Sequence, residues 1–121
     1  MKQQGDRTTG VTVGHLSLVA CYQPLWEYSD ESHEQYRREM DDHLAASSNL
    51  KWLIIGGDHN SHIGYGGHWD FADGTKGPFG MGRRDDSGTD FLQWCEDNNL
   101  CFADSFVRME HRGTWFSRLQ A

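Results

Sequence analysis

Hydrophobic and polar residues alternate loosely in the segment that runs from Val11 to Tyr22. Successive side chains of a strand point to opposite faces, and apolar residues occupy both sets of positions here. The pattern predicts one strand over residues 11–22 that is buried on both faces. Pro24 has no backbone N–H to donate to a sheet, so we expect it just after the strand ends. Residues 1–10 are polar and show no period, which predicts a flexible lead-in.

The period then changes to that of a helix. Apolar residues recur at steps of three and four over residues 29–46, which predicts an amphipathic helix. Ser32 followed three residues later by Gln35 fits a capping box at its start. Residues 52–55 form a short, continuous apolar run, which is typical of a central strand covered on both faces.

The second half of the chain is less regular. A long glycine-rich loop is predicted over residues 63–87, followed by a helix over 88–98. A strand is predicted over residues 100–106, and the start of another over 114–116. This order of elements fits a mixed β-sheet flanked by helices. The predicted fold class is therefore α/β, in one compact domain over residues 11–121.

Composition supports a folded chain and narrows the functions open to it. The chain has 121 residues, of which 36% are hydrophobic, enough for one domain with a core. Its formal net charge of -7 argues against a protein that coats DNA without specificity. The three cysteines include no Cys-x-x-Cys pair and are expected to be buried free thiols. No segment resembles a membrane span or a signal peptide, so we expect an intracellular protein, nuclear or cytoplasmic, without a membrane partner.

The candidate chemistry lies in Gly57-Asp58-His59-Asn60, directly after the apolar run. Alternation along an extended chain turns Asp58 and Asn60 to the same side and His59 away from them. A carboxylate and an amide on one side could act on one phosphate, the carboxylate by orienting or deprotonating a water molecule. The alternative is a turn at the strand end that Asp and Asn side chains stabilise. The tetrapeptide alone leaves both interpretations open.

Further segments match the pattern of one known family in the same order along the chain. They are Tyr22-Gln23-Pro24, Gly57-Asp58-His59-Asn60, Gly77-Pro78-Phe79-Gly80, residues 88–100 with their Asn-Asn-Leu ending, and Thr114-Trp115. In these segments the chain resembles the endonuclease domain of LINE-type (non-LTR) retrotransposons, a member of the endonuclease/exonuclease/phosphatase superfamily. The matches extend over nearly the whole chain.

The resemblance implies a fold, a reaction and a set of site residues. The fold would be part of a four-layer α/β sandwich of the DNase I type. The reaction would be nicking of DNA by phosphodiester hydrolysis that depends on Mg²⁺, with Mn²⁺ as an alternative cofactor. Asp58, Asn60 and Tyr22 correspond to catalytic residues, and Asp58 would contact the metal directly or through water. Thr114 corresponds to a substrate-binding residue in the wall of the site.

The chain also departs from the family pattern. It has no counterpart of the family's metal-binding glutamate or of its terminal Ser-Asp-His motif, which implies a central portion that is truncated at both ends. The resemblance therefore implies weak or absent turnover by the isolated chain. His59 stands where the family has an apolar aromatic residue. Arg83 and Arg84 are weaker substrate-binding candidates, because adjacent arginines in a glycine-rich loop are often only solvated.

Two other functions stay open on the sequence. One is a non-catalytic scaffold or interaction fragment derived from a retroelement. The other is a metal-binding module for zinc or nickel, in which His59, His62 and His68 are joined by Asp70. A chain that lacks outer strands would also expose sheet edges, so self-association through these edges is expected.

Overall fold

The computed structural model contains two compact units, Met1–Asn60 and Ser61–Ala121, which are described separately. The sequence had predicted one domain over residues 11–121. The parts of the chain that the structure describes are residues 2–4, 7–25, 27–64 and 74–109.

The first unit is a four-stranded sheet with one helix. In chain order its strands are β1 (Lys2–Gln4), β2 (Thr8–Val13), β3 (Leu16–Tyr22) and β4 (Trp52–Asp58), and they keep this order in the sheet. Pairing is antiparallel between β1 and β2 and between β2 and β3, but β3 and β4 are parallel. The helix α1 (Asp30–Ala46) connects the two parallel strands. The predicted α/β class with a mixed sheet is confirmed.

The amino-terminal part of this sheet differs from the prediction. A single strand over residues 11–22 was wrong, because β2 and β3 form a hairpin whose turn contains Gly14 and His15. Gly14 has a φ of 59°, a value that glycine adopts without steric cost. Within the segment that was predicted as a flexible lead-in, residues 1–10, the structure has β1 and the first half of β2.

Helix α1 begins after Ser29, whose side chain accepts a hydrogen bond from the N–H of Ser32 at 3.2 Å. The predicted cap at Ser32 was therefore wrong by three residues, although the helix itself was predicted well. The buried side of α1 carries Met40 and His43. The His43 ring forms a 2.9 Å hydrogen bond with the hydroxyl of Thr8 in β2. This contact joins the helix to the sheet through polar atoms.

The two faces of the sheet have different environments. Ser17, Val19 and Cys21 alternate along β3 on the buried face. On the other face, Trp52 and Ile54 expose 63% and 57% of their surfaces. The prediction of strands buried on both faces was wrong for β3 and β4. A continuous apolar run shows that a strand can be buried, but it does not reveal how many layers cover it.

The exposed apolar face has a testable consequence. Exposed apolar patches promote association, so the chain is expected to self-associate as its concentration rises. Replacing Ile54 with Lys should reduce the weight-average mass measured by sedimentation equilibrium, because a charge on this face opposes its burial. Lys51→Gln, a change at an exposed polar residue, serves as the control. Equal masses for the wild type and the Ile54 variant over the whole concentration range would contradict the prediction.

The second unit contains the helix α2 (Asp86–Asp97). The Asp85 side chain caps it by accepting hydrogen bonds from the N–H groups of Gly88 at 2.7 Å and His62 at 3.1 Å. Leu92 and Cys95 form its buried side. Burial raises the pKa of the Cys95 thiol to about 12, so this thiol stays protonated at neutral pH.

The rest of the second unit is irregular in the part that the structure describes. The predicted strand over residues 100–106 was wrong: Phe102 forms a single bridge with Lys76, and Ala103–Phe106 is a 3₁₀ turn. The predicted element at 114–116 lies outside the described residues. None of the helices in the described stretches is long and apolar enough to cross a membrane.

Candidate functional site

Asp58 is the last residue of β4, and its side chain is exposed. The next residue, His59, is partly buried, and its Nδ1 atom lies 3.7 Å from the Sγ atom of Cys21 on the buried face of β3. Asp58 and His59 therefore have different environments. This difference follows from the alternation of side chains at a strand end.

A tight turn fixes the Asp58 carboxylate. Its Oδ1 atom accepts a hydrogen bond from the backbone N–H of Asn60 at 2.8 Å. Asn60 has a φ of 43°, a left-handed value that asparagine tolerates better than most residues. Its side-chain amide donates to the carbonyl of Gln23 at 2.6 Å, and the N–H of Gln23 donates to the carbonyl of Asp58 at 2.8 Å. The motif thus forms a turn stabilised by Asp and Asn, and this turn leaves the carboxylate in solvent.

Tyr22 lies beside this carboxylate. It is the last residue of β3 and the parallel partner of Asp58 in the register of the sheet. Tyr22 exposes 51% of its surface. The structure therefore brings together Tyr22, Asp58 and Asn60, the three residues that the sequence marked as catalytic.

This arrangement provides complementary groups for phosphate chemistry. The Asp58 carboxylate can orient a water molecule or accept a proton from it. The Tyr22 phenol can donate a hydrogen bond to a phosphate oxygen. Asn60 acts here on the protein itself, since its backbone holds Asp58 and its side chain holds Gln23.

Cys21, Tyr36 and His59 form a polar cluster next to the site, on the side of the sheet that carries the buried face of β3. Cys21 shares a hydrogen bond with Tyr36 and contacts the His59 ring. Burial raises the pKa of the Cys21 thiol, and the nearby Asp58 carboxylate raises it further, although the bond to Tyr36 opposes both effects. Burial also raises the pKa of Tyr36. Both groups are neutral at physiological pH, so Cys21 is a packing residue and not a nucleophile.

Two histidines, the buried His43 and the partly buried His59, should make the stability of this unit depend on pH. Burial lowers the pKa of both His43 and His59 below the ordinary value of 6.5, although nearby carboxylates oppose the shift. The unfolded chain therefore takes up protons first as the pH falls. The free energy of unfolding should be highest above about pH 6.5 and should fall between that value and the lower pKa of each folded histidine.

Urea unfolding between about pH 7.5 and pH 5 would measure this loss. His59→Phe removes one of the titrating groups and keeps an aromatic ring, so it should make the dependence on pH shallower. His43→Gln should do the same for the other group. A double variant with the same dependence on pH as the wild type would contradict the assignment.

The other predicted substrate-binding residues lie outside the first unit or outside the described residues. Arg83 is exposed, and Arg84 donates from Nε to the carbonyl of Ile63 at 2.8 Å, both in the second unit. Thr114 lies outside the described residues.

The described ranges also contain no group of three or more His, Cys, Asp or Glu side chains that could hold a metal ion. For the predicted histidine module, His59 lies against Cys21, His62 is exposed in the second unit, and His68 and Asp70 fall outside the described residues.

The structure adds one charged residue that the sequence did not reveal. Arg7 lies within the predicted lead-in, but its guanidinium group lies over the rings of Tyr22 and Tyr28. A polar segment without a period gives no signal for such a contact, because the contact depends on strand pairing. Arg7 is therefore a cation next to one of the predicted catalytic residues.

Comparison with known proteins adds no relative to this description. No protein-family model matches the chain, and neither a curated protein nor a solved structure is similar to it at a significant level.

Proposed function

We propose that this chain is the central part of a phosphodiesterase that nicks DNA and depends on Mg²⁺ or Mn²⁺. The proposal includes its fold, which would be part of a four-layer α/β sandwich of the DNase I type. The observation that carries it is the exposed Asp58 carboxylate, which is held by the N–H of Asn60 and lies beside Tyr22. The same three residues belong to segments in which the chain resembles LINE-type endonucleases.

The chemistry assigns a separate role to each residue. Hydrolysis of a phosphodiester requires a positioned water molecule and donors for the negative charge that develops on the phosphate oxygens. Asp58 would orient the water and accept its proton. Tyr22 would donate its phenolic proton in a hydrogen bond to a phosphate oxygen. Asn60 would hold Asp58 in place, because an acceptor that already has one fixed donor loses little freedom when the substrate binds.

The proposal includes a divalent metal, Mg²⁺ or Mn²⁺. Mg²⁺ is usually held by one or two carboxylates, water and substrate phosphate, and when bound it would neutralise charge on the phosphate. Among the described residues, Asp58 is the one carboxylate in the motif, and no cluster of three possible ligands is formed. These residues alone do not fit a complete metal centre. The dependence on Mg²⁺ or Mn²⁺ therefore rests on the resemblance.

The second candidate is a non-catalytic scaffold derived from a retroelement. The same absence of a ligand cluster in the described ranges favours it. The turn around Asp58 also has a structural explanation that requires no catalysis, since it ties the end of β4 to Gln23. In this case the role of the motif would be to fix the end of β4 to the segment that follows β3.

A nicking assay separates the two candidates. The purified chain is incubated with supercoiled plasmid over a range of Mg²⁺ and Mn²⁺ concentrations, with EDTA as the control. The proposal expects slow conversion to the relaxed circle that requires the metal and disappears in the Asp58 variants. If no relaxed circle forms at any metal concentration, the nuclease proposal is wrong and the scaffold is favoured.

A further inference from the structure

The guanidinium group of Arg7 lies close to two tyrosine rings. Its Cζ atom is 5.5 Å from the centre of the Tyr22 ring and 5.1 Å from that of Tyr28. One of its terminal nitrogens also donates to the backbone carbonyl of Tyr22 at 3.4 Å. These contacts restrict a long side chain that would otherwise move in solvent. The positive charge therefore has a defined position.

This charge is available to an external anion. The described contacts of the Arg7 guanidinium are with the two tyrosine rings and the carbonyl of Tyr22. Glu39 contacts Arg7 through the backbone, since its Oε2 atom accepts from the N–H of Arg7 at 3.4 Å and from the hydroxyl of Thr8 at 3.1 Å. A guanidinium carries five N–H donors, so donors remain for a phosphate.

Arg7, Tyr22 and Asp58 form a row across one end of the sheet. The N–H of Tyr22 donates to the carbonyl of Arg7 at 2.9 Å, and Asp58 is the partner of Tyr22 on the other side. Neighbouring strands lie about 4.8 Å apart, so the backbones of Arg7 and Asp58 are separated by about two such steps. The cation and the carboxylate thus flank Tyr22.

A cavity of about 670 Å³ lies beside this row. Arg7 and Tyr22 line it together with Ser32 and Gln35 of α1, which are neutral and polar. Glu39 lines it as well, with its Oε2 atom bonded to Thr8. Cavities of this volume accommodate small ligands, and a single nucleotide with one phosphate is a ligand of this size. The cavity therefore offers space next to the cation.

We propose that Arg7, oriented by Tyr22 and Tyr28, binds the phosphate next to the one that is cleaved, and that the cavity receives the nucleotide attached to it. The identity of the ligand as a DNA strand rests on the proposed function. Arg7 precedes every segment in which the chain resembles the family. An arginine suits this position because its planar group can stack on rings and present paired donors to phosphate.

The test is DNA binding by fluorescence anisotropy, with a short labelled duplex in EDTA so that no cleavage occurs. Arg7→Gln should weaken binding by about tenfold, as for loss of a hydrogen bond to a charged group. It should also make the slope of log K against log salt shallower by about 0.9, because one phosphate contact is lost. The matched control is Arg37→Gln on an exposed part of α1, which removes the same charge and should change neither quantity.

Variants of Tyr28 test the positioning without changing the charge. Tyr28 exposes 42% of its surface, so its replacement should leave the fold intact. Tyr28→Leu should weaken binding with an unchanged salt slope, since the guanidinium keeps its charge but loses one ring. Tyr28→Phe keeps the ring and should bind as the wild type does. These two variants decide the question if Arg7→Gln fails to fold.

The outcomes separate this inference from the proposed function. If Arg7→Gln binds with the wild-type affinity and salt slope while plasmid nicking proceeds, the Arg7 site is wrong and the nuclease stands. If binding depends on Arg7 but no nicking occurs at any metal concentration, the phosphate site stands and the nuclease is wrong. If the wild-type chain does not bind the duplex, the Arg7 site is wrong, whatever the plasmid assay shows.

Discussion

Replacing Asp58 with Asn is expected to lower the rate of plasmid nicking by about 10²–10⁴-fold, the usual contribution of a general base. The substitution is close to isosteric. Asn keeps an oxygen that can accept the 2.8 Å hydrogen bond from the N–H of Asn60, so the turn should survive. What is lost is the negative charge that would accept a proton from water. The loss should therefore affect activity and leave the fold unchanged.

The measurement compares initial nicking rates and urea midpoints for matched variants. Glu34→Gln removes one carboxylate from an exposed position on α1 and should keep the wild-type rate. Both variants should unfold within about 0.5 kcal/mol of the wild type, as most surface substitutions do. Equal nicking rates for the Asp58 variant and the wild type would show that another group activates the water.

The sequence predicted the elements whose signals are local. Helix α1 carries Tyr36, Met40 and Leu44 at helical spacing, and its start was located to within one residue, although its cap was placed at Ser32. Buried and exposed residues alternate along β3, and Pro24 follows it, so the end of this strand could also be predicted. The different environments of Asp58 and His59 follow from the same alternation. In each case the deciding information lies within a few neighbouring residues.

The errors concern pairing between distant segments. The apolar residues of β4 predicted a central strand, but β4 ends the order of the described sheet. Neighbours in a sheet are decided by contacts with the rest of the chain, which a local pattern does not contain. The hairpin of β2 and β3 is different, because Gly14-His15 between alternating residues is a recognisable turn signal. That error came from merging two strands that a glycine separates.

The candidate site could be predicted only in part, because some of its contacts join segments that are distant in sequence. Asp58 and Asn60 are neighbours in sequence, so their turn could be foreseen from residue type. The direction of Asn60 depends on its φ of 43° and on its bond to Gln23, which strand alternation does not describe. Arg7 could not be foreseen at all, since the two ring contacts require β2, β3 and the segment before α1 to meet.

Gly57→Ala is expected to unfold the first unit. Gly57 has a φ of 146°, a value that residues with a side chain rarely adopt. A Cβ atom on it would lie 1.9 Å from the carbonyl oxygen of Cys21 in the paired strand β3. The strands would have to separate to relieve this overlap. Backbone strain and overpacking together should cost about 3–5 kcal/mol, a large part of the stability of a small unit.

The adjacent Gly56 provides the matched control, because a Cβ atom built on it meets nothing within 4 Å. Gly56→Ala should leave the urea midpoint within about 1 kcal/mol of the wild type, whereas Gly57→Ala should lose the far-ultraviolet circular dichroism of the sheet in the absence of urea. Nicking should fall with the fold in Gly57→Ala and persist in Gly56→Ala. If both variants unfolded at the same urea concentration, β3 and β4 would not approach each other as described. The placement of Arg7, Tyr22 and Asp58 in one row would then be wrong, because it depends on the pairing of these strands.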